Sequence, residues 1–177
     1  MHIYLSLNTP VRLILVILLL LASCTTPNPL VVAEKQIGLN EQTDRKELIN
    51  YMDGWDPYYN EWCAAFINAV LRESNIDNLI DMNHPNPYLA RSFLDWGETV
   101  TQPRAGDIVI FPRGDKQWQG HVGFYVGSKT VRDIDYYLIL GGNQNDSVSI
   151  DLYPTNKAIG IRRYKYTHGT TNHTPAT

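Results

Sequence analysis

Several kinds of chemistry are missing from this sequence, and each absence narrows what it can do. Its 177 residues include only two cysteines, Cys24 and Cys63. A disulfide-stapled mini-domain is therefore excluded. The histidines His2, His84, His121, His168 and His173 form no His-Glu-x-x-His pair, and no Cys-x-x-Cys occurs. A zinc site and a cofactor are accordingly not expected. Gly141-Gly142 lacks the lysine and the spacing of a phosphate loop. Basic residues do not dominate: 15 Lys and Arg face 18 Asp and Glu, for a formal net charge of −3. That balance argues against a nucleic-acid partner. With 44% hydrophobic and 19% charged residues, the composition is that of an ordinary globular chain, and its length suits one domain.

Long apolar runs are scarce too. The longest, residues 13–22, is ten residues without a charge, preceded by Arg12. It is too short to span a bilayer and suits the apolar region of a signal peptide. Leu21-Ala22-Ser23-Cys24 follows and resembles a bacterial lipobox, in which the cysteine is lipidated and becomes the first mature residue. Thr25 rather than Asp comes next, which by that resemblance favours the outer membrane. The expected organisation is a lipoprotein signal peptide over 1–23, a lipidated Cys24 and tether over 24–32, one domain over 33–167 and a polar tail over 168–177. The protein is thus expected to be exported and lipid-anchored, facing the periplasm.

The mature chain has two textures. Helical patterning predicts short helices over 31–37, ending at Gly38, and over 43–52. The strongest helix is predicted over 62–73, where Cys63, Phe66, Ile67 and Val70 share one face. A fourth helix is predicted from Pro85 to Trp96. Beyond residue 100 the pattern becomes strands and turns, with strands predicted over 107–111, 121–126, 136–140, 147–152 and 158–164. Helices first and strands second give an α+β fold, with N-terminal helices packed on a five-stranded antiparallel sheet.

Three residues carry candidate chemistry. Cys63 begins the strongest helix, where the positive end of the dipole favours a thiolate. The bland reading is a small buried hydrophobe. His121 opens a strand, and alternation puts it on one face with Gly123 and Tyr125. Gly123 would leave a gap for a helix terminus beside the imidazole. Asn143 follows Gly141-Gly142, where its amide oxygen can orient an imidazole; as a bland alternative it is a turn residue. A sulfur on a helix start, an imidazole on a strand and an amide on the next strand are the parts of nucleophile, base and orienter.

Four blocks carry a family resemblance: Trp62-Cys63-Ala64-Ala65-Phe66, Pro103-Arg104-Ala105-Gly106-Asp107-Ile108-Val109, Gly120-His121-Val122-Gly123 and Leu140-Gly141-Gly142-Asn143-Gln144. In this order they resemble the CHAP and NlpC-type papain-like cell-wall hydrolases. The resemblance implies a papain-like fold, Cys63 as nucleophile, His121 as general base and Asn143 as orienter, with Asp107 structural. CHAP proteins often carry Glu two residues before the Asn, where this chain has Gly141, so Gln144 is a second candidate for orienting His121. Tyr59 and Asn60 are candidate oxyanion donors beside the Cys63 amide. Trp55, Tyr58, Trp62 and Trp118 are candidate groove residues. A thiolate–imidazolium pair between Cys63 and His121 is expected. The implied activity is cleavage of a stem-peptide or muramoyl-alanine amide in peptidoglycan through a thioester. A non-catalytic wall-peptide or partner-binding module is the alternative.

Overall fold

The computed structural model describes residues 28–165. The expected signal peptide, Cys24 and the polar tail lie outside the described residues. Among the described residues no helix is long and apolar enough to cross a membrane.

The first helix, α1 (Pro29–Glu34), starts two residues earlier than the periodicity predicts. Asn28 caps it by accepting a hydrogen bond from the Leu30 amide at 3.0 Å, and Pro29 sits at its first position. A side-chain cap and a pre-set φ fix a helix start more strongly than apolar spacing does. Leu30, Val32 and Ala33 are buried, so packing begins inside the expected tether. Helix α2 (Arg45–Tyr51) follows, and then α3 (Cys63–Glu73).

Helix α3 departs from the one-faced expectation, since every residue from Cys63 to Leu71 is buried. It runs through the core against strands of the sheet on one side and α1 on another. Alanines at 64, 65 and 69 let these neighbours approach, and a helix apolar all round is one covered all round. Its buried Asn68 ties down the following loop, donating to the Pro87 carbonyl (2.8 Å) and accepting from the Leu79 amide (3.1 Å). The helix expected from Pro85 shrinks to a 3-10 segment, Ala90–Asp95. Pro85 and Pro87 remove two donors and push the residues before them away from helical angles.

The sheet is antiparallel and has six strands, not five: β1 (Glu98–Thr99), β2 (Ile108–Pro112), β3 (Gly120–Val131), β4 (Ile134–Gln144), β5 (Ser147–Pro154) and β6 (Gly160–Arg163). Their spatial order is β1-β6-β2-β3-β4-β5. Two residues at an edge show no alternation, which is why β1 escapes a pattern reading. Strands β2 to β5 form a meander, and β6 returns to pair with β2. Strands β3 and β4 are much longer than predicted, because Arg132 and Asp133 both take positive φ and close a tight hairpin. Asn145 and Asp146 do the same between β4 and β5.

Helices cover one face of the sheet over Ile108, Ile110, Val122, Phe124, Leu140 and Val148. The other face carries a smaller cluster of Val109, Phe111, Ile139 and Ile161. Asp107 is structural: buried, it takes two hydrogen bonds from Arg163 (2.9 and 2.7 Å) and one from the Arg104 amide (2.7 Å).

Candidate active site

Cys63 is the first residue of α3 and His121 the second of β3. The backbone amides of Val122, next to His121, and of Ala64 lie close enough to the Cys63 sulfur to pull its pKa down. The nucleophile candidate therefore lies against the start of the strand that carries the imidazole. Cys63 is only 4% exposed, yet it lines a cleft of about 360 Å³ with Glu61, Tyr88, Arg113, Trp118 and Gly120.

His121 is buried, and its two ring nitrogens have different surroundings. Nε2 lies 3.1 Å from Oε1 of Gln144. Nδ1 has no hydrogen-bond partner although it is buried. The Gln144 amide cannot turn round, because its Nε2 donates to the Ser149 carbonyl at 2.6 Å and lies 3.3 Å from that of Ile139. Carbonyls only accept, so the NH₂ end of Gln144 must face them and its oxygen must face the ring. The neutral imidazole then carries its proton on Nε2 and leaves the Nδ1 lone pair available.

Gln144, and not Asn143, thus stands beside His121. The Asn143 side chain points elsewhere and donates to Oε2 of Glu61 at 2.6 Å. A β-bulge between Gly141 and Gln144 is the physical reason. One extra residue shifts the alternation, so Gln144 takes the place that a regular strand would give to Asn143. Asn143 itself adopts a left-handed φ of 59°, a conformation that asparagine tolerates. Each glycine before it has its own neighbour. A side chain at Gly141 would press on the His121 ring, and one at Gly142 on Trp62 and Phe66. Gly123 makes room for Ile139 across the sheet, not for the expected helix terminus.

Two further side chains shape the site without having been singled out from sequence. Tyr153 of β5 stacks on the His121 ring, with centroids 5.1 Å apart and planes 6° from parallel. Phe111 also stacks on Tyr153, with centroids 4.6 Å apart. Only the pairing of β4 with β5 brings Tyr153 there. Arg113, just past the end of β2, reaches Oε2 of Glu61 (3.4 Å) and the Asn143 carbonyl (3.3 Å). An arginine after a strand-ending proline gave no signal in the sequence.

The electrostatics run against the expected thiolate–imidazolium pair. Burial pushes the Cys63 thiol up to about 11, against the opposing pull of the Val122 amide, Arg113 and the Ala64 amide. Burial, and then Arg113, push His121 down to about 4, outweighing the hydrogen bond that its Nε2 donates to Gln144. Desolvation disfavours both charged forms and exceeds the helix-terminus effect. Both shifts favour the uncharged forms, a thiol beside a neutral imidazole.

The remaining candidates separate by depth. Trp62 is fully buried, donates to Glu41 at 2.9 Å and packs edge-on against Phe66, so it belongs to the core and not the groove. Trp118 is 56% exposed and does line the Cys63 cleft. Trp55 lies behind the cleft wall, stacked on Tyr88 at 3.9 Å. Tyr58, Tyr59 and Asn60 line a neighbouring hollow that includes Asn143. The Asn60 amide is taken by the Asp56 carbonyl (3.0 Å), and neither oxyanion candidate lines the Cys63 cleft. Among the described residues, no three His, Cys, Asp or Glu side chains form a group able to hold a metal.

Comparison with known proteins finds a family match. A family profile described as CHAP domain covers residues 53–143, just over half of the chain and both Cys63 and His121. No curated protein and no solved structure matches significantly. On the extent of that match, the chain belongs to the CHAP domain family.

Proposed function

We propose that this protein is an exported peptidoglycan hydrolase, lipid-anchored through Cys24, that cleaves a stem-peptide or muramoyl-alanine amide by thiol catalysis. CHAP domains are in general hydrolases of the amidase or peptidase kind that act on peptidoglycan. The observation that carries the reading is the state of His121: one ring nitrogen held by Gln144, the other buried, unpartnered and on the residue next to the one that meets the Cys63 sulfur.

Nδ1 of His121 removes the thiol proton as the sulfur attacks the carbonyl carbon, so the charges appear only as the bond forms. The amide of Cys63, at a helix start and without an intrahelical partner, donates to the developing oxyanion. The imidazolium then gives its proton to the leaving nitrogen, and a thioester remains on Cys63. Water, deprotonated by His121, releases the acid and restores the thiol. Gln144 keeps the ring in the tautomer that this sequence of transfers requires.

The low exposure of Cys63 and its raised thiol favour a second reading, a wall-peptide-binding module with an inert cysteine. Incubating the protein with purified sacculi and reading the new termini by mass spectrometry separates the two. New amine and carboxyl termini from the wild type, and none from Cys63→Ala, are expected. Intact sacculi with the wild type would leave only the binding module.

A further inference from the structure

The rim of the Cys63 cleft already holds a carboxylate, and that carboxylate is the protein's own. Oε2 of Glu61 takes a 2.6 Å hydrogen bond from the Asn143 amide and lies 3.4 Å from Nη1 of Arg113. We propose that Arg113 and Asn143 form a carboxylate-binding cradle, occupied by Glu61 at rest, that receives a free carboxylate of the substrate peptide close to the scissile amide. The proposal deepens the hydrolase reading and rests on it for the identity of the peptide.

Three observations support an exchange of occupants. The cradle does not depend on Glu61, because Arg113 also donates to the Asn143 carbonyl at 3.3 Å. The left-handed backbone at Asn143, set by the bulge, aims its amide at the same point. Next, Glu61 is easily displaced. Its side chain is 75% exposed and that of Arg113 44%, and ion pairs so open to water contribute little. Finally, the location suits a substrate. Arg113 lines the cleft with Cys63, Asn143 lines the adjoining hollow, and Glu61 lines both and stands between them. Arg113 is close enough to influence the protonation of Cys63, His121 and Tyr153 alike. A carboxylate bound there lies beside the reacting sulfur, and displacing Glu61 joins the two hollows into one groove. A planar guanidinium with an amide donor beside it is a donor set suited to a carboxylate.

The test is binding, not turnover, so that it stands apart from the hydrolase reading. The probes are N-acetyl-L-alanyl-D-glutamate γ-methylamide, which keeps the α-carboxylate, and the same peptide with that carboxylate replaced by a carboxamide. Affinities are measured on the full chain carrying Cys63→Ser, by calorimetry and by the NMR shift of the Asn143 side-chain amide. Glu61→Ala, which empties the cradle, should bind the carboxylate peptide roughly threefold to fivefold more tightly. Arg113→Gln should weaken it by about tenfold or more. The carboxamide peptide should bind weakly and equally in all variants. Unchanged or undetectable carboxylate binding in Glu61→Ala, or equal affinity for both peptides, overturns the cradle. If Arg113→Gln does not fold, Glu61→Ala decides alone. Binding with intact sacculi would remove the hydrolase and keep the cradle; cleaved sacculi without a carboxylate preference would do the reverse.

Discussion

Asn143 and Gln144 are adjacent carboxamides sent to opposite surroundings. Gln144 turns inward, is almost completely buried and meets an uncharged imidazole. Asn143 turns to the rim and meets a water-exposed carboxylate held by Arg113. The bulge after Gly141 is what separates them. The two halves of the site run on different physics. Inside, desolvation keeps Cys63 and His121 neutral and makes each hydrogen bond expensive to lose. At the rim, full charges persist, but water screens them and their contacts exchange easily.

Five substitutions and a change of pH probe this contrast, in falling order of effect. Cys63→Ala should abolish release of muropeptides, and His121→Ala should cost roughly 10²–10⁴-fold in turnover, the usual range for a lost general base. Circular dichroism should show both variants folded. Acid should next unmask the buried imidazole. Its value of about 4 lies below the ordinary 6.5, so the unfolded chain binds more protons between those limits. Stability contributed by neutral His121 is full above pH 6.5 and lost as pH falls toward 4, by at most roughly 3 kcal/mol. Urea unfolding of wild type and His121→Gln at several pH values checks this, since the variant should lack that part of the acid sensitivity.

Gln144→Ala removes a buried partner and should lower turnover roughly 10–100-fold, the rate equivalent of ~1–3 kcal/mol. Asn143→Ala should instead raise KM a few-fold with little change in kcat; steady-state kinetics on a soluble muropeptide distinguishes the two. An equal loss of kcat in both would erase the division between inner site and rim. The smallest effect should come from Tyr59, 74% exposed, where Tyr59→Ala should stay within about 0.5 kcal/mol in thermal unfolding.

Much of this division could not be read from the chain itself. Cys63 at a helix start and His121 at a strand start were legible, because local patterning fixes both elements. The full burial of α3 was not, since it depends on what packs against its second face. The strand ends beyond Val126 and before Tyr136 were hidden by Ser128, Lys129 and Thr130, whose polarity hides alternation, and by a hairpin turn without glycine. The choice between Asn143 and Gln144 turns on one inserted residue in the β4–β5 register, which has no local signature. Tyr153 reaches the site only through the register of β5 on β4, and Arg113 through contacts with Glu61 and Asn143, both far from it in sequence; for them the residue type alone says nothing.

The most direct test of an uncharged inner site is the ¹⁵N NMR spectrum of the His121 ring as a function of pH. A neutral ring at pH 7 with its proton on Nε2, taking up a second proton only near pH 4, is expected. A ring doubly protonated at pH 7, or one protonated on Nδ1 alone, would contradict it.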